Sequence, residues 1–357
     1  MTVEKLTEGV CVSKLLKQTQ VSASAPCRID SGGTWDIKAM GLAFGDCKPA
    51  TVNIALSLRT RVDFSPCTDG KIKIISDGFL NGVEYDYTNI SLEGPFSIFF
   101  AAVRHFGFHG LTVHIKSDSP VKSALGGSST ALVALLKALS KLAEITCRKG
   151  ISKKELLHLG YQIEDGISGG NCGMQDQAAA VYGGVNCWEW TYWKRTSYIT
   201  GNRLLDSKGA GELSKRILVA YSGKSHVSAA TNRLWLAAFL RGETRQGWIE
   251  ANSIVREFSE AIKKKRWSKA AFLLKEEMNV RKKITPDALI PETERLIKEA
   301  ENYNCGARFT GAGAGGSLWA MGSPDDIIRL GKEWKKILAK INGASLLECR
   351  IDSKGVF

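Results

Sequence analysis

The stretch SDSPVKSALGGSSTALVALLKAL (117–139) joins a strand pattern to a long apolar helix pattern through a glycine-rich turn. The run before it, GLTVHIKSD (110–118), alternates β-branched and polar residues as a half-buried strand does. Apolar residues then recur at helical spacing through 128–145. A helix start has unpaired backbone N–H groups, and glycines let an anion approach them closely. The turn therefore predicts either an anion site or a helix start that Ser128 or Ser129 merely caps.

The other strand and helix patterns occur in groups along the chain. Strand patterns dominate up to residue 118, and the runs at 71–78 and 83–90 predict a hairpin. Helical patterns dominate 128–165 and most of 225–300. Because regular strand–helix–strand alternation is missing, we predict an α+β protein and not a doubly wound one. A length of 357 residues favours two lobes.

Composition argues against several classes of protein. No run of eighteen apolar residues is present, and the first twenty residues are polar, so we expect a cytoplasmic protein without a membrane span. The nine cysteines include no C-x-x-C pair, which favours free thiols. His105 and His109 are four residues apart, but no third ligand accompanies them in the sequence. Surface or packing histidines are therefore preferred there over a metal site.

The formal net charge of +13 has two explanations. It could indicate a nucleic-acid or acidic partner, or a basic surface around a site for anionic ligands. The densest basic runs, IKKKRW (262–267) and RKKI (281–284), lie inside helical patterns, without an RNA motif or a zinc finger. Solvated helix faces are the preferred explanation, and we predict no nucleic-acid partner.

A second glycine-rich stretch, RFTGAGAGGSL (308–318), contains G-x-G-x-x-G at Gly311, Gly313 and Gly316. A dinucleotide-binding loop requires a helix that starts at the last glycine of the motif. The segment that follows, SLWAMG, has a strand pattern and ends at a Ser-Pro pair. The sequence also lacks the other motifs of a protein kinase and a Walker A loop. The stretch therefore does not predict a nicotinamide site.

Four segments in order resemble the motifs of the GHMP kinase superfamily. APCRIDSGGTWD (25–36) is similar to its first motif, PVKSALGGSSTA (120–131) to its second, and ARFTGAGAGGS (307–317) to its third. QIEDGISGGNCGMQDQAAAVYGG (162–184) is similar to the galactokinase segment that ends in C-G-x-M-D-Q. The R-I-D-x-G-G and G-x-Q-D-Q patterns look closest to galactokinase, fucokinase and D-glycero-D-manno-heptose 7-phosphate kinase-type sugar kinases.

This resemblance implies a two-lobed α+β GHMP kinase fold. Its N-terminal α/β lobe would resemble ribosomal protein S5, and its C-terminal α+β lobe would be ferredoxin-like. We expect an N-terminal arm at 1–20, an ATP-binding lobe at 21–200 and a second lobe at 201–357. Ala124 stands where the second motif usually has a glycine, and Gly127 where it usually has serine or threonine. The stretch SGGTWD (31–36) is also one residue shorter than the usual first motif, with Thr and Trp in reversed order, and this departure leaves the identity of the acceptor open.

The resemblance also implies roles for individual residues. Asp176 stands where galactokinases keep a catalytic aspartate, and Arg28 would be its charge partner; a helix-capping Asp176 and a surface ion pair are the alternatives. Glu164, twelve residues before Asp176, would hold Mg²⁺ together with Ser128, and Asp165 is the neighbour that could be mistaken for it. The implied nucleotide-binding residues are Ala124, Leu125, Gly126, Gly127, Ser128, Ser129 and Thr130.

The implied substrate-contacting residues come from the first, galactokinase-like and third segments. Lys224 could meet a substrate phosphate, although a solvated lysine is the preferred interpretation. The tryptophans of WEWTYW (188–193) could stack on adenine, although packing in the core is preferred. The substrate-contacting residues are Thr34, Asp36, Gly170, Thr310, Gly311, Gly313 and Gly315.

We therefore predict ATP- and Mg²⁺-dependent phosphorylation of a sugar or sugar phosphate at its anomeric hydroxyl, by a monomer or homodimer. The basic surface mildly favours a phosphorylated sugar. The alternatives are a kinase of another small alcohol, such as a mevalonate-like acid, and a ligand-binding regulator that has lost turnover. The presence of Asp176, Arg28 and Glu164 argues against the regulator.

Overall fold

The computed structural model describes residues 9–33, 36–194, 197–225 and 228–357. In this part of the chain, the strands form a two-stranded, a four-stranded and a seven-stranded sheet. The strands are β1 (Val10–Cys11), β2 (Ser22–Asp30), β3 (Ala50–Pro66), β4 (Lys71–Ser76), β5 (Val83–Asp86), β6 (Phe108–His109), β7 (Leu111–Ser117), β8 (Val185–Trp190), β9 (Ile199–Arg203), β10 (Ile217–Tyr221), β11 (Gly306–Phe309), β12 (Ser317–Met321) and β13 (Ser345–Leu347).

The helices lie mainly between β7 and β8 and after β10. Short 3₁₀ helices at Leu42–Cys47 and Pro286–Ala288 supplement them. The α-helices are α1 (Ser13–Leu16), α2 (Lys38–Gly41), α3 (Ser97–Phe106), α4 (Gly127–Ile145), α5 (Lys153–Ile167), α6 (Gln175–Tyr182), α7 (Ser207–Ser214), α8 (Ser228–Leu240), α9 (Arg245–Lys263), α10 (Trp267–Ile284), α11 (Pro291–Asn302) and α12 (Pro324–Leu338).

The seven-stranded sheet is built around the long strand β3. Its order is β5-β4-β7-β3-β8-β9, and β2 also pairs with β3. Strand β3 is antiparallel to β2, β7 and β8, whereas β4 is parallel to β7. The first seven residues of β3 are all buried, and exposure alternates further along. Both α4 and α9 pack against β3, which accounts for the unbroken burial near Val52 and Ile54.

The four-stranded sheet has the order β11-β12-β10-β13, and its strands are antiparallel. Helices α10, α11 and α12 pack against it. The last residues of the chain return to the larger sheet: Ser57 N–H donates to the Arg350 carbonyl over 2.7 Å, and Phe357 N–H donates to the Ser24 carbonyl over 3.2 Å. The chain end therefore connects the two sheets. The predicted division at residue 200 stays a prediction.

Most of the predicted elements are confirmed, and so is the α+β class. The hairpin is formed by β4 and β5, and the helix after the glycine turn is α4. Helix α12 begins at Pro324, and Ser323 accepts a hydrogen bond from Asp326 N–H as its cap. The predicted last strand at 345–352 is shorter than expected, because its second half leaves β10 and binds Ser57 on β3.

Residues 10–16 of the predicted arm form β1 and α1, and residues 1–8 lie outside the described part of the chain. None of the helices in the described part combines the length and apolar character that a bilayer crossing requires.

Candidate active site

A cleft of about 500 Å³ opens where four loop regions meet. These regions are the turn between β7 and α4, the chain after β2, the connection from α5 to α6, and the glycine-rich loop after β11. Three of the four segments of the sequence motifs contribute side chains to one wall, and the fourth contributes Gly311 and Ala312. Residues more than 280 positions apart in sequence therefore share one cavity.

The turn before α4 presents an open helix start to this cleft. Gly126 is the N-cap residue, with a φ of +76°, and it has no side chain that could cap the helix. Gly127, Ser128 and Ser129 follow in the first turn and line the cleft. Thr130 is buried, and its hydroxyl donates to the Gly126 carbonyl over 2.8 Å. The first-turn N–H groups thus face the cavity, which favours an anion site over a serine cap.

Arg28 and Asp176 form a close ion pair at the floor of the cleft. The guanidinium approaches Asp176 Oδ1 at 2.7 Å from Nε and 2.6 Å from Nη2, and its Nη1 donates to the Ala124 carbonyl over 2.8 Å. Burial lowers the pKa of Arg28. The negative charges of Asp176 and Asp30 outweigh this effect, and the pKa of Arg28 lies above its ordinary value. Asp176 is the second residue of α6, whose N-cap is Met174, so the helix-capping alternative does not apply. Its side chain is 23% exposed, toward the cavity that it lines.

Asp36 is buried beside this pair. Its two carboxylate oxygens accept hydrogen bonds from the backbone N–H and the side-chain amide of Gln175, each over 3.2 Å. Burial, followed by the negative charge of Asp176, raises the pKa of Asp36 to about 7. A side chain at Gly173 would overlap Asp36, since a Cβ would lie 1.7 Å from Oδ2. The glycine in G-x-Q-D-Q therefore makes room for this carboxylate.

Glu164 points from α5 into the same cleft. Gln177 Nε2 donates to Glu164 Oε2 over 2.6 Å. Burial raises the pKa of Glu164 to about 7, with a further contribution from Asp176, although hydrogen bonds from Ser129, Gln177 and Ser128 oppose the shift. The adjacent Asp165 instead forms an ion pair with Lys38 at 3.4 Å and does not line the cavity. The structure thus shows which of the two neighbouring carboxylates faces the cleft, which helical spacing alone could not decide.

The glycine-rich loop after β11 packs against the turn before α4. Gly311 N–H donates to Asp30 Oδ2 over 2.7 Å, and the Thr310 hydroxyl donates to the Ala124 carbonyl over 2.9 Å. Gly313 and Gly315 have positive φ values, and a Cβ added at either would meet backbone atoms of residues that do not line the cleft. Strand β12 follows this loop where a dinucleotide fold would have a helix, so the exclusion of a dinucleotide-binding motif is confirmed.

The remaining candidates lie away from the cavity or cannot be located. Gly170 is exposed and is not part of the cleft lining, and Thr34 lies outside the described residues. Lys224 lies 3.4 Å from Glu292 in an ion pair. Trp188 and Trp190 are buried in the core, as the packing interpretation predicts, whereas Trp193 is 40% exposed and does not line the cleft.

The sequence analysis missed an apolar wall of the cleft. Phe79 in the β4–β5 turn, Pro95 and Phe99 near α3, and Val121 in the glycine-rich turn face the cavity. Phe79 and Val121 are large apolar side chains that remain 39% and 44% exposed. The Phe79-Leu80 pair could have indicated this apolar wall, because hairpin turns usually contain polar residues.

Gly126 and Gly127 provide a matched pair of test positions. Alanine at Gly126 is expected to lower the free energy of unfolding by about 1–2 kcal/mol, because a left-handed backbone disfavours a Cβ. That Cβ would also lie 3.1 Å from Asp176 Cγ. Alanine at Gly127, where the nearest atom is 4.0 Å away inside a helix, should be neutral or stabilising. Chemical denaturation measures both variants, and equal losses would contradict the geometry.

Comparison with known proteins identifies the class. Residues 96–184 match the model of the GHMP kinases N terminal domain, and residues 258–340 match that of the GHMP kinases C terminal domain. The chain contains the N-terminal and C-terminal domains of the GHMP kinases, and the two-lobed fold expected from the motifs is confirmed. Kinases of this family use ATP.

The names of individual relatives give different phosphate acceptors. The D-glycero-alpha-D-manno-heptose 7-phosphate kinase of Campylobacter jejuni is 26% identical over 80% of this chain and 85% of its own length. A mevalonate kinase of Pyrococcus abyssi is 28% identical over 69% of this chain and 68% of its own. The structure of a Lactococcus lactis galactokinase with galactose superposes with a TM-score of 0.74 at 18% identity, covering 97% of this chain and 99% of that one. This last likeness establishes the fold alone.

Proposed function

We propose that this kinase transfers the γ-phosphoryl group of ATP to a hydroxyl of a sugar or sugar phosphate. The observation that carries the proposal is the Arg28–Asp176 pair, which lies beside an open, glycine-lined helix start in one cleft. A helix start binds phosphate groups, and a carboxylate within reach can accept the proton of an attacking hydroxyl.

In the proposed reaction, Asp176 accepts the proton of the acceptor hydroxyl. Oδ1 holds both contacts to Arg28, so we assign the proton to Oδ2. The hydroxyl oxygen forms a bond to the γ-phosphorus, the bond to the β-phosphate oxygen breaks, and ADP leaves. Arg28 holds Asp176 Oδ1 in place and lies close enough to offset charge on the transferring group.

We propose that the nucleotide phosphates bind at residues 126–129 and that the base contacts the apolar wall. Phe79 and Val121 lie on the side of the cavity that continues from the turn before α4. A flat aromatic base would cover apolar side chains that are otherwise exposed to water. This arrangement leaves Asp36, Gln175 and Asp176 for the acceptor.

The donor set near the helix start fits Mg²⁺. Glu164 supplies a carboxylate and Ser128 a hydroxyl, the oxygen ligands that this ion prefers, and both line the cleft. Glu164, Asp36 and Asp176 line the cleft together with two cationic side chains, Arg28 and Lys122, and a divalent cation would offset the remaining negative charge. When bound, the ion would neutralise phosphate charge.

Glutamine at Glu164 is expected to raise the Mg²⁺ concentration required for half-maximal activity by about 10- to 100-fold. The side chain keeps its size but loses the charge that attracts the ion. Asparagine at Asp165, which pairs with Lys38, is the control and should leave the Mg²⁺ dependence unchanged. Activity is measured across a Mg²⁺ titration, and equal dependence in both variants would remove Glu164 from the metal site.

We propose a sugar as the acceptor class. The buried Asp36, held by Gln175, presents a carboxyl group that can bind neighbouring hydroxyls, and the heptose phosphate kinase relative supports the same class. We further propose attack by the anomeric hydroxyl. The mevalonate kinase relatives support a mevalonate-like acid as the second candidate.

The test is product analysis by NMR after reaction of Mg-ATP with a hexose or heptose 7-phosphate that carries ¹³C at the anomeric carbon. Phosphorus coupling at the labelled carbon is the expected result. Coupling at another carbon would contradict the anomeric assignment, and the absence of any sugar phosphate product would contradict the sugar itself.

A further inference from the structure

Three residues outside the active-site cleft bring metal-ligand atoms together. One ligand atom each from Cys11, Asp69 and His109 lies within 4.8 Å of the other two. None of the three lines the cleft. We propose that this cluster is a Zn²⁺ site that fastens the N-terminal strand to the larger sheet.

The backbone sets the three ligands in place. Cys11 on β1 is the register partner of His109 on β6, and the two strands run parallel. Val12 N–H donates to the His109 carbonyl over 3.0 Å. Gly110 N–H donates to the Lys71 carbonyl over 2.8 Å, which joins β6 to the turn that carries Asp69. Three separate segments are thus held in fixed register before any ion binds.

The spacing of the ligand atoms suits a tetrahedral ion. His109 Nδ1 and Asp69 Oδ1 are 3.2 Å apart. Two ligands at about 2.0 Å from a tetrahedral Zn²⁺ are separated by roughly 3.3 Å, and a sulfur ligand at about 2.3 Å lies roughly 3.5 Å from each of them. Little movement of His109 and Asp69 is therefore required to bind the ion.

One backbone N–H, that of Gly70, lies against both His109 and the Asp69 carboxylate. Gly70 N–H donates to His109 Nδ1 over 3.2 Å, so this nitrogen acts as an acceptor. Asp69 accepts from the same N–H, and its oxygen is also an acceptor. Asp69 Oδ1 lies 3.2 Å from His109 Nδ1, so the contact is attractive with either a proton or a metal cation between the two atoms. A bound Zn²⁺ would take that place and leave the Gly70 N–H to Asp69.

The ligand set selects the kind of metal. A thiolate, an imidazole and a carboxylate suit Zn²⁺, whereas Mg²⁺ and Ca²⁺ prefer oxygen ligands alone. His109 is buried, and its ring lies 5.1 Å from the Tyr87 ring, which fixes its orientation. Cys11 and Asp69 are exposed, so an ion has a path in from solvent and water can complete its coordination. This site would therefore hold a different metal from the active site.

The experiment is a Zn²⁺ titration of the full-length, metal-free protein against a chromophoric chelator. We expect one Zn²⁺ per chain in the wild type. Loss of an outer-sphere partner already lowers zinc affinity by about 10- to 100-fold, so Cys11→Ser and His109→Gln should each lower it by about 100-fold or more. Cys147→Ser, which removes another exposed cysteine, is the matched control and should bind as the wild type does.

A second measurement reports on the metal ligands directly and begins with the wild-type protein. Co²⁺ added to the wild-type protein should give a thiolate-to-metal charge-transfer band and the visible absorption of tetrahedral coordination, and Cys11→Ser should lose the band. Wild-type affinity no tighter than that of Cys11→Ser, or a Co²⁺ spectrum without the thiolate band, would overturn the proposal. Stoichiometric binding that survives in both ligand variants would also overturn it, because the ion would then lie elsewhere.

Discussion

Replacing Asp176 with asparagine is expected to lower kcat by about 1,000-fold or more while leaving the fold intact. A positioned general base contributes about 100- to 10,000-fold, and the amide cannot accept the proton of the acceptor hydroxyl. Asparagine has nearly the same size and can still contact Arg28, whose Nε and Nη2 both approach Asp176 Oδ1. ADP release under saturating Mg-ATP and acceptor measures the loss.

Two controls separate a loss of chemistry from a loss of binding in the Asp176 variant. Its affinity for a non-hydrolysable ATP analogue should be unchanged or slightly tighter, because a negative charge near the phosphates is removed. Asparagine at Asp118, whose carboxylate accepts a hydrogen bond from Arg59 N–H at an exposed position, should leave kcat within about 2-fold of the wild type. An Asp176→Asn enzyme with more than a tenth of wild-type kcat would exclude Asp176 as the base.

Replacing Arg308 with methionine is expected to cost about 3–5 kcal/mol of folding free energy. The fully buried guanidinium pairs with Asp30 and, over 2.9 Å, with Glu277 Oε2. Burial alone would raise the pKa of Asp30, but Arg308 and Arg28 hold it below its ordinary value. Removing one partner of a buried ion pair leaves an uncompensated charge, which accounts for the size of the loss. Chemical denaturation measures it.

Methionine at Arg329 is the matched control for this variant. Arg329 pairs with Asp326 but is 59% exposed, so its loss should cost about 0–1 kcal/mol. The Arg308 variant should also lose activity, since Asp30 accepts the Gly311 N–H and thereby positions the glycine-rich loop in the cleft. If both variants lost the same stability, the buried network would not stabilise the fold as the contacts indicate.

The glycine-rich turn and the helix after it could be predicted from the sequence because their signals are local. Helix α4 begins at Gly127, and its helical spacing continues through its whole length to Ile145. The same holds for the Ser323 cap and the β4–β5 hairpin. Local backbone chemistry decides such features, so a short window of sequence is sufficient.

The resemblance, and not periodicity, singled out Glu164 over Asp165. Neighbouring residues on a helix differ in direction by about 100°, and only packing determines which of them faces a site. In this protein Lys38 pairs with Asp165, and Gln177 donates to Glu164. The family motif carried this information because it records packing that the chain alone does not reveal.

Contacts between distant segments could not be predicted from the sequence. Asp30 and Arg308 are 278 residues apart, and neither has a local feature that marks it as buried and charged. Cys11, Asp69 and His109 show the same limitation, because the two residues that approach His109 come from β1 and from the turn before β4. Long-range register sets these sites, and it follows from the complete fold.

The central claim is that the cleft phosphorylates a sugar, and the most direct measurement is ADP release with Mg-ATP and a panel of acceptors. The panel contains galactose, fucose, mannose, heptose 7-phosphate, mevalonate and homoserine. We predict the highest kcat/KM with a sugar or sugar phosphate. Turnover of mevalonate or homoserine alone would contradict the sugar assignment, and ATP binding without turnover of any acceptor would favour a ligand-binding regulator over an enzyme.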